Sequence, residues 1–200
     1  MTVCLLAIGD GRTEYHERSW ASLREMLPPV EHTVVIDDSD HQLGFTGAVA
    51  EGWRQALATG ADYLFWAELD FTYNRPVPLA GMIDVLRTCP HLVQMALLRQ
   101  PVNQQEIAAG GIIAMMHLSE YYPRRQWRGH RWIEHGHSVT TNPSVWPRWV
   151  IESGWPQCEH SEGVFGAELF ASNDRLRAAY WGEGEEWVTH IGHVRTGTGY

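Results

Sequence analysis

The stretch LFWAELDFTYNRP at residues 64–76 places Glu68 and Asp70 two positions apart at the end of an apolar run. Alternate residues of an extended chain share a side, so both acids face one way while Leu69 turns back toward the core. An apolar strand interior has little water to spare for carboxylates. Acids gathered without Lys or Arg beside them repel one another unless a cation sits between them. Hard oxygen ligands suit Mg2+ or Mn2+, which commonly bind one or two protein carboxylates together with substrate phosphates. The chemistry expected here is metal-assisted handling of a phosphorylated ligand, and the plain alternative is a solvated acidic turn.

More acids recur at equivalent places along the chain. The run TVCLLAI ends at Gly9-Asp10-Gly11, and HTVVI ends at Asp37-Asp38. Short continuous apolar runs of this kind read as buried strands closing in turns. A helix is expected over 14–26, with Thr13 as its cap and Pro28-Pro29 as its stop, and another over 46–59 with Gly60 as its C-terminal cap. Strands over 63–67 and 92–98 flank a helix over 79–86. This alternation predicts a single-domain α/β fold, a mostly parallel sheet flanked by helices. Ligands in such sheets sit at the carboxyl ends of the strands, where Asp10, Asp37, Asp38, Glu68 and Asp70 would meet.

Beyond Gly110 the pattern loosens. GGIIAMMH reads as a strand, residues 118–138 as polar, aromatic and irregular, and TTNPSVWPRWVIESGWP as a turn followed by a short helix. A helix over 163–171 and strands over 178–181 and 187–191 complete the pattern.

The 200 residues are 44% hydrophobic, enough for one core. A formal charge of -9 argues against broad binding to polyanions. All 15 basic residues are Arg, which reads as a coding bias toward GC-rich codons. Cys4, Cys89 and Cys158 are odd in number and far apart, so reduced thiols are expected rather than a disulfide framework. The N-terminus lacks a charged leader with a long apolar core, and no apolar run is long enough to span a bilayer. A soluble, cytoplasmic protein without membrane insertion is the expectation.

The ordered series TVCLLAIGDGR, HTVVIDDSD, GFTGAVAEGWRQAL and ADYLFWAELDFTYNRP resembles nucleotide-sugar-dependent glycosyltransferases of the GT-A fold, similar to the family 2 group and its small phage and actinobacterial members. The resemblance implies a hexosyltransferase-type enzyme using a nucleoside diphosphate sugar, UDP-linked first, with Mn2+ or Mg2+. It implies a nucleotide-sugar-binding half over residues 1–100 and an acceptor-binding half over 101–200. The loop after the first strand (Ile8, Gly9, Asp10, Arg12) and the acid after the second (Asp37 or Asp38) would hold base and ribose. GFTGAVAEGW resembles the helix lining the donor site and brings Phe45 there, though its first turn lacks the basic residue usual in the family. The family's metal-binding Asp-x-Asp falls on Glu68-Leu69-Asp70, with its first acid changed to Glu, so the metal role passes first to Asp70.

Toward the C-terminus, TTNPSVWPRWVIESGWP resembles the stretch shaping the sugar and acceptor pocket, at Asn142, Pro143 and Trp146. HSEGVFGAEL resembles the segment supplying the acid–base carboxylate, which maps onto Glu162, with Glu168 second. VTHIGHVRTGTGY resembles a closing segment whose His reaches the metal or diphosphate, which maps onto His190, with Arg195 beside it. Neutralising a leaving diphosphate is an electrostatic task that often dominates such barriers. Removing the acceptor's proton contributes about 10²- to 10⁴-fold in typical cases. The resemblance implies direct, inverting transfer.

Each role has a rival. An acid at a helix start, as Glu162 is, commonly serves as a cap or dipole partner. HIGH at 190–193 matches a class I aminoacyl-tRNA synthetase signature that must open a helix after an early strand, a context this position lacks. His135, His137, Cys158 and His160 do not have the spacing of a zinc knuckle. Residues 121–132 interleave Arg124, Arg125, Arg128 and Arg131 with Trp127 and Trp132, a mixture suited to gripping nucleic acid, to a mobile flap, or to a solvated loop. The acceptor stays open between a hydroxymethylated base in phage DNA, a virion protein and a glycan. The competing functions are a nucleotidyltransferase and a non-catalytic nucleotide- or glycan-binding domain.

Overall fold

The computed structural model describes residues 1–40, 42–101 and 122–192. The chain opens with β1 (Val3–Gly9), α1 (Thr13–Met26), β2 (His32–Asp37), α2 (Gly44–Ala58) and β3 (Tyr63–Glu68). β1 is buried at every position and takes β2 and β3 as parallel neighbours, which is why it reads as an unbroken apolar run. β2 is the sheet's edge. Its burial alternates, with Val34 and Ile36 inward and Thr33 and Val35 outward, so it is a half-buried strand and not the fully buried one its apolar run suggests.

There follow β4 (Phe71–Tyr73), α3 (Leu79–Thr88), β5 (Leu92–Ala96), β6 (Arg124–Trp127), β7 (His130–His135), β8 (Ser144–Pro147), α4 (Arg148–Ile151), α5 (Ser161–Ser172), β9 (Arg177–Trp181) and β10 (Val188–His190). The eight-stranded sheet runs β2-β1-β3-β8-β5-β9-β7-β6, and β10 pairs with β4 in a separate two-stranded ladder. Within the large sheet, β8 and β7 run against the other six strands, so most strands share a direction while the sheet is mixed.

Two of these strands correct the sequence reading. Residues 124–135 form an antiparallel hairpin, not an irregular segment. Its two-residue turn, Arg128 and Gly129, has positive φ at both positions (47° and 83°), the geometry that matches strand twist in tight hairpins. An Arg in the first of those positions hides the turn from a search for Asn-Gly or Asp-Gly. The stretch read as a turn before a short helix contains β8, whose SVWP is four residues long and ends in Pro. The strand expected in GGIIAMMH lies outside the described residues.

The pleat sends alternate side chains to opposite cores. Cys4, Leu6, Trp66 and Trp146 enter one, and Val3, Leu5, Phe65 and Val145 the other. In the first, Trp53 of α2 meets Trp155 at 5.2 Å, Phe165 at 5.3 Å and Trp146 at 5.8 Å between ring centroids, all edge-on. Four of the ten Trp are therefore spent on one cluster. Truncating a ring of this size to Ala typically costs about 3–5 kcal/mol, which makes Trp53 the pin holding α2 to the sheet.

Candidate active site

The loop after β1 turns through Asp10 and Gly11 into Arg12, the residue preceding α1. Gly9 ends the strand where the His16 ring crosses it; a Cβ there would lie 2.4 Å from His16 Cε1. The Asp10 N–H donates to His16 Nε2 at 3.2 Å. Arg12 folds back so that its Nε donates to the Asp10 carboxylate at 2.7 Å, while its Nη2 crosses to Asp70 Oδ2 at 2.9 Å. Partial burial opposes the charge on Asp10, and the hydrogen bonds and charge of Arg12 more than offset it, holding that carboxyl below its ordinary pKa.

Asp70 is supplied by the turn that carries the chain from β3 into β4. Glu68 ends β3, opposite Ile8, and the Leu69 N–H donates to Ile8 O at 2.8 Å, with Leu69 buried as its spacing requires. The antiparallel pairing of β4 with β10 then sets His190 opposite Phe71, and the Ile191 N–H donates to Asp70 O. As a result His190 Nε2 lies 3.2 Å from Asp70 Oδ2, both side chains almost fully buried. The Gln100 side-chain amide clasps the His190 backbone from the far side, accepting its N–H at 2.8 Å and donating to its C=O at 2.9 Å. Thus β1, β3 and β10 bring Asp10, Arg12, Asp70 and His190 into one constellation across 180 residues of chain.

Among the described residues no group of three or more His, Cys, Asp or Glu side chains gathers as a ready-made cation cage. Asp70 and His190 do converge as one carboxylate and one imidazole. That donor pair suits Mn2+ or Mg2+ when the remaining positions are filled by phosphate oxygens and water.

The other candidates fall into two groups. At the same edge, Asp37 is exposed and accepts the Ser39 N–H at 3.1 Å. Asp38 is buried and accepts the Leu43 N–H at 2.9 Å, ordering the approach to α2. Phe45 stands partly exposed in the first turn of α2, edge-on to Trp155 at 6.3 Å. Ser144 pairs with Trp66 near the end of β3, so the loop before β8, with half-buried Asn142, lies on that edge too. Glu162, in the first turn of α5, accepts the Thr141 N–H of this loop at 2.9 Å.

Away from it, Trp146 is fully buried among Trp53, Trp66 and Phe165, and its Nε1 donates to Ser144 Oγ. It shapes the core beneath the loop and has no surface to offer a sugar. Glu168 lies six residues beyond Glu162 and lines a separate cleft of about 310 Å³ with Ser153, Trp155 and Phe165. Arg195 lies outside the described residues.

Two supporting residues escaped sequence reasoning. Gln94 is fully buried in β5; its Oε1 accepts the Thr140 N–H at 3.0 Å and its Nε2 donates to Ser144 Oγ at 2.9 Å and to Thr140 O. Its signal was a lone amide inside LVQMALL. Gln100 had no comparable signal, since its role depends on a strand ninety residues away.

The basic hairpin is partly self-neutralised. Arg125 pairs with Glu134 at 3.1 Å, Arg131 pairs with Glu183, and Arg128 covers the Trp127 ring. His135 is buried and stacked on Tyr180 at 5.4 Å, with Tyr122 between it and His137. Burial, assisted by His137, pushes the His135 pKa down to about 4.

The fold is that of GT-A glycosyltransferases. The structure of S. aureus TarS 1-349 aligns with a TM-score of 0.64 over 96% of this chain and 60% of that one, at 12% identity. Its complex with UDP-GlcNAc aligns at 0.60 over 98% and 62%, at 10% identity. The mannosyltransferase PcManGT from Pyrobaculum calidifontis, in complex with GDP-Man and Mn2+, aligns at 0.58 over 99% and 58%, at 10% identity. A197 from STIV aligns at 0.57 over 99% of this chain and 100% of that one, at 9% identity. This chain therefore spans about 60% of the TarS 1-349 structure. No protein-family model matches the chain, and no curated protein matches it in sequence. Among the described residues no helix is long and apolar enough to cross a membrane.

Proposed function

We propose that the chain is a glycosyltransferase that moves a sugar from a nucleoside diphosphate sugar, UDP-linked first, to an acceptor hydroxyl. What supports this reading is the meeting of Asp10, Asp70 and His190 at the carboxyl edge of a GT-A sheet, with the loop that Glu162 holds from α5 on the same edge. Structures of similar fold hold UDP-GlcNAc, or GDP-Man with Mn2+.

In this reading Asp10 and the exposed Asp37 accept hydrogen bonds from the ribose and base, and the first turn of α2, with Phe45, borders the nucleotide. Asp70 and His190 would hold Mn2+ or Mg2+, with Glu68 beside them, and the cation would neutralise charge on the leaving diphosphate. Arg195 belongs to the same task. Glu162 takes the acceptor's proton, and a single displacement inverts the anomeric centre. Residues 1–100 would serve mainly the donor and 101–200 the acceptor. A glycan or protein hydroxyl suits the acceptor side better than a hydroxymethylated base in phage DNA, because two of the four hairpin arginines already face Glu134 and Glu183.

The test is incubation of the protein with UDP- and GDP-sugars in Mn2+ and in EDTA. Release of nucleoside diphosphate in Mn2+ supports the reading. Release of pyrophosphate supports a nucleotidyltransferase, and donor binding without turnover supports a binding domain.

A further inference from the structure

Arg12 sits where a cation on Asp70 would sit. Its Nη2 lies 2.9 Å from Asp70 Oδ2, the same oxygen that His190 Nε2 approaches at 3.2 Å, and its Nε is anchored on Asp10 at 2.7 Å. Gly192 walls the group in: a Cβ there would stand 2.4 Å from Asp70 Oδ2 and 3.0 Å from Arg12 Nη1. Arg12 Nη1 is buried and has no hydrogen-bond partner among the described residues. A buried donor in that condition is unfavourable until an acceptor reaches it.

The charges explain why such an arrangement is held. Asp10, Asp70 and Arg12 together carry one net negative charge, and Asp70 is only 4% exposed, so water does little to relieve an imbalance there. A divalent cation alone would add two positive charges there and force two cations toward one carboxylate oxygen. A diphosphate alone would add two negative charges beside Asp70. Arriving together they restore the original net charge, with the cation on Asp70 and the guanidinium on phosphate oxygens. Arg12 precedes α1 on a flexible side chain, so this exchange needs only rotamer changes.

We propose that Arg12 is a placeholder for the divalent cation: it occupies Asp70 while the donor is absent and moves onto the donor's diphosphate when donor and cation bind, so that cation binding waits on the nucleotide. This rests on the glycosyl-transfer reading, because a diphosphate must be the group that draws Arg12 away. The two ligands then bind cooperatively, each raising the other's affinity by the same factor.

The experiment is titration of Mn2+ into the purified protein, with free Mn2+ read by electron paramagnetic resonance, with and without UDP. The forms compared are wild type, Arg12→Gln, and Arg54→Gln as a charge control on the exposed face of α2. Wild type and Arg54→Gln should bind Mn2+ weakly alone and about 10-fold or more tightly with UDP, while Arg12→Gln should bind Mn2+ alone about 10-fold more tightly than wild type and gain less from UDP. If Arg12→Gln does not fold, Arg12→Lys, whose single ammonium cannot hold both carboxylates, reads the same quantity. Equal Mn2+ affinity of wild type and the Arg12 variant without UDP overturns the placeholder, as does a crystal structure with UDP and Mn2+ in which Arg12 still bonds Asp70. Loss of the glycosyl-transfer reading looks different: no form binds UDP or Mn2+, and both proposals fall together.

Discussion

Gln94 and Thr140 exchange a complete amide pair: the Gln94 side chain accepts the Thr140 N–H and donates to the Thr140 C=O, as a neighbouring strand would. The next N–H along the loop, that of Thr141, goes to Glu162. A buried side chain in β5 thereby fixes the backbone on which the candidate base rests. Gln94→Leu strands the Thr140 amide and should destabilise the protein by about 2–4 kcal/mol in urea unfolding. Because this loop bonds Glu162 and makes no bond to Asp70 among the contacts described, turnover should fall further than UDP affinity. Equal losses in both would assign Gln94 to general stability.

Glu162→Gln separates a cap from a base. Gln keeps an oxygen for the Thr141 N–H but cannot take a proton, so melting temperature and UDP binding should stay near wild type. Turnover should drop about 10²- to 10⁴-fold. A drop in melting temperature with turnover intact would make Glu162 a cap and nothing more.

How far the sequence carried depends on what kind of interaction placed each element. β1 and β3 were legible because strands buried on both faces need apolar residues throughout, and the acids beyond them stood out by contrast. Asp70 and Glu162 are candidates that short motifs in a fixed order bring forward. The link from Arg12 to Asp70 was not, since it joins residues 58 apart and depends on side-chain direction. β8 was missed because its partners, β3 and β5, are far away in sequence and its four residues show no period. Trp146 was assigned to a pocket on its motif alone, whereas its position opposite Leu64 in the ladder sends it into the core.

Gly192→Ala should test the crowding around Asp70. The added Cβ would force Asp70 or Arg12 aside, and overpacking of this kind costs about 1–3 kcal/mol. Calorimetry should show weaker joint binding of UDP and Mn2+ together with a modestly lower melting temperature. Unchanged binding would mean that the constellation does not depend on its present geometry.

His135 gives the fold an acid-sensitive point. Its pKa is depressed to about 4 in the folded protein, against an ordinary value of 6.5, because burial disfavours the charged ring and His137 adds to the effect. The unfolded chain therefore takes up a proton first as pH falls. Stability from the neutral ring is complete above about pH 6.5 and is lost progressively toward pH 4, by about 3 kcal/mol at most. His135→Phe, which keeps a ring against Tyr180, should flatten the decline of melting temperature between pH 7 and pH 4.5. A decline as steep as in wild type would place the acid sensitivity elsewhere.

The order of strands has a cost during synthesis. Among the described residues β5 pairs with β8 and β9, both of which emerge from the ribosome some fifty to eighty residues later. Until then Leu92–Ala96 is a nascent apolar segment with no ladder, the kind of exposed stretch that seeks strands of other chains. The polar residue that interrupts it is Gln94, so the same amide that later braces the loop also acts as a gatekeeper against aggregation while the polypeptide waits for its own partners.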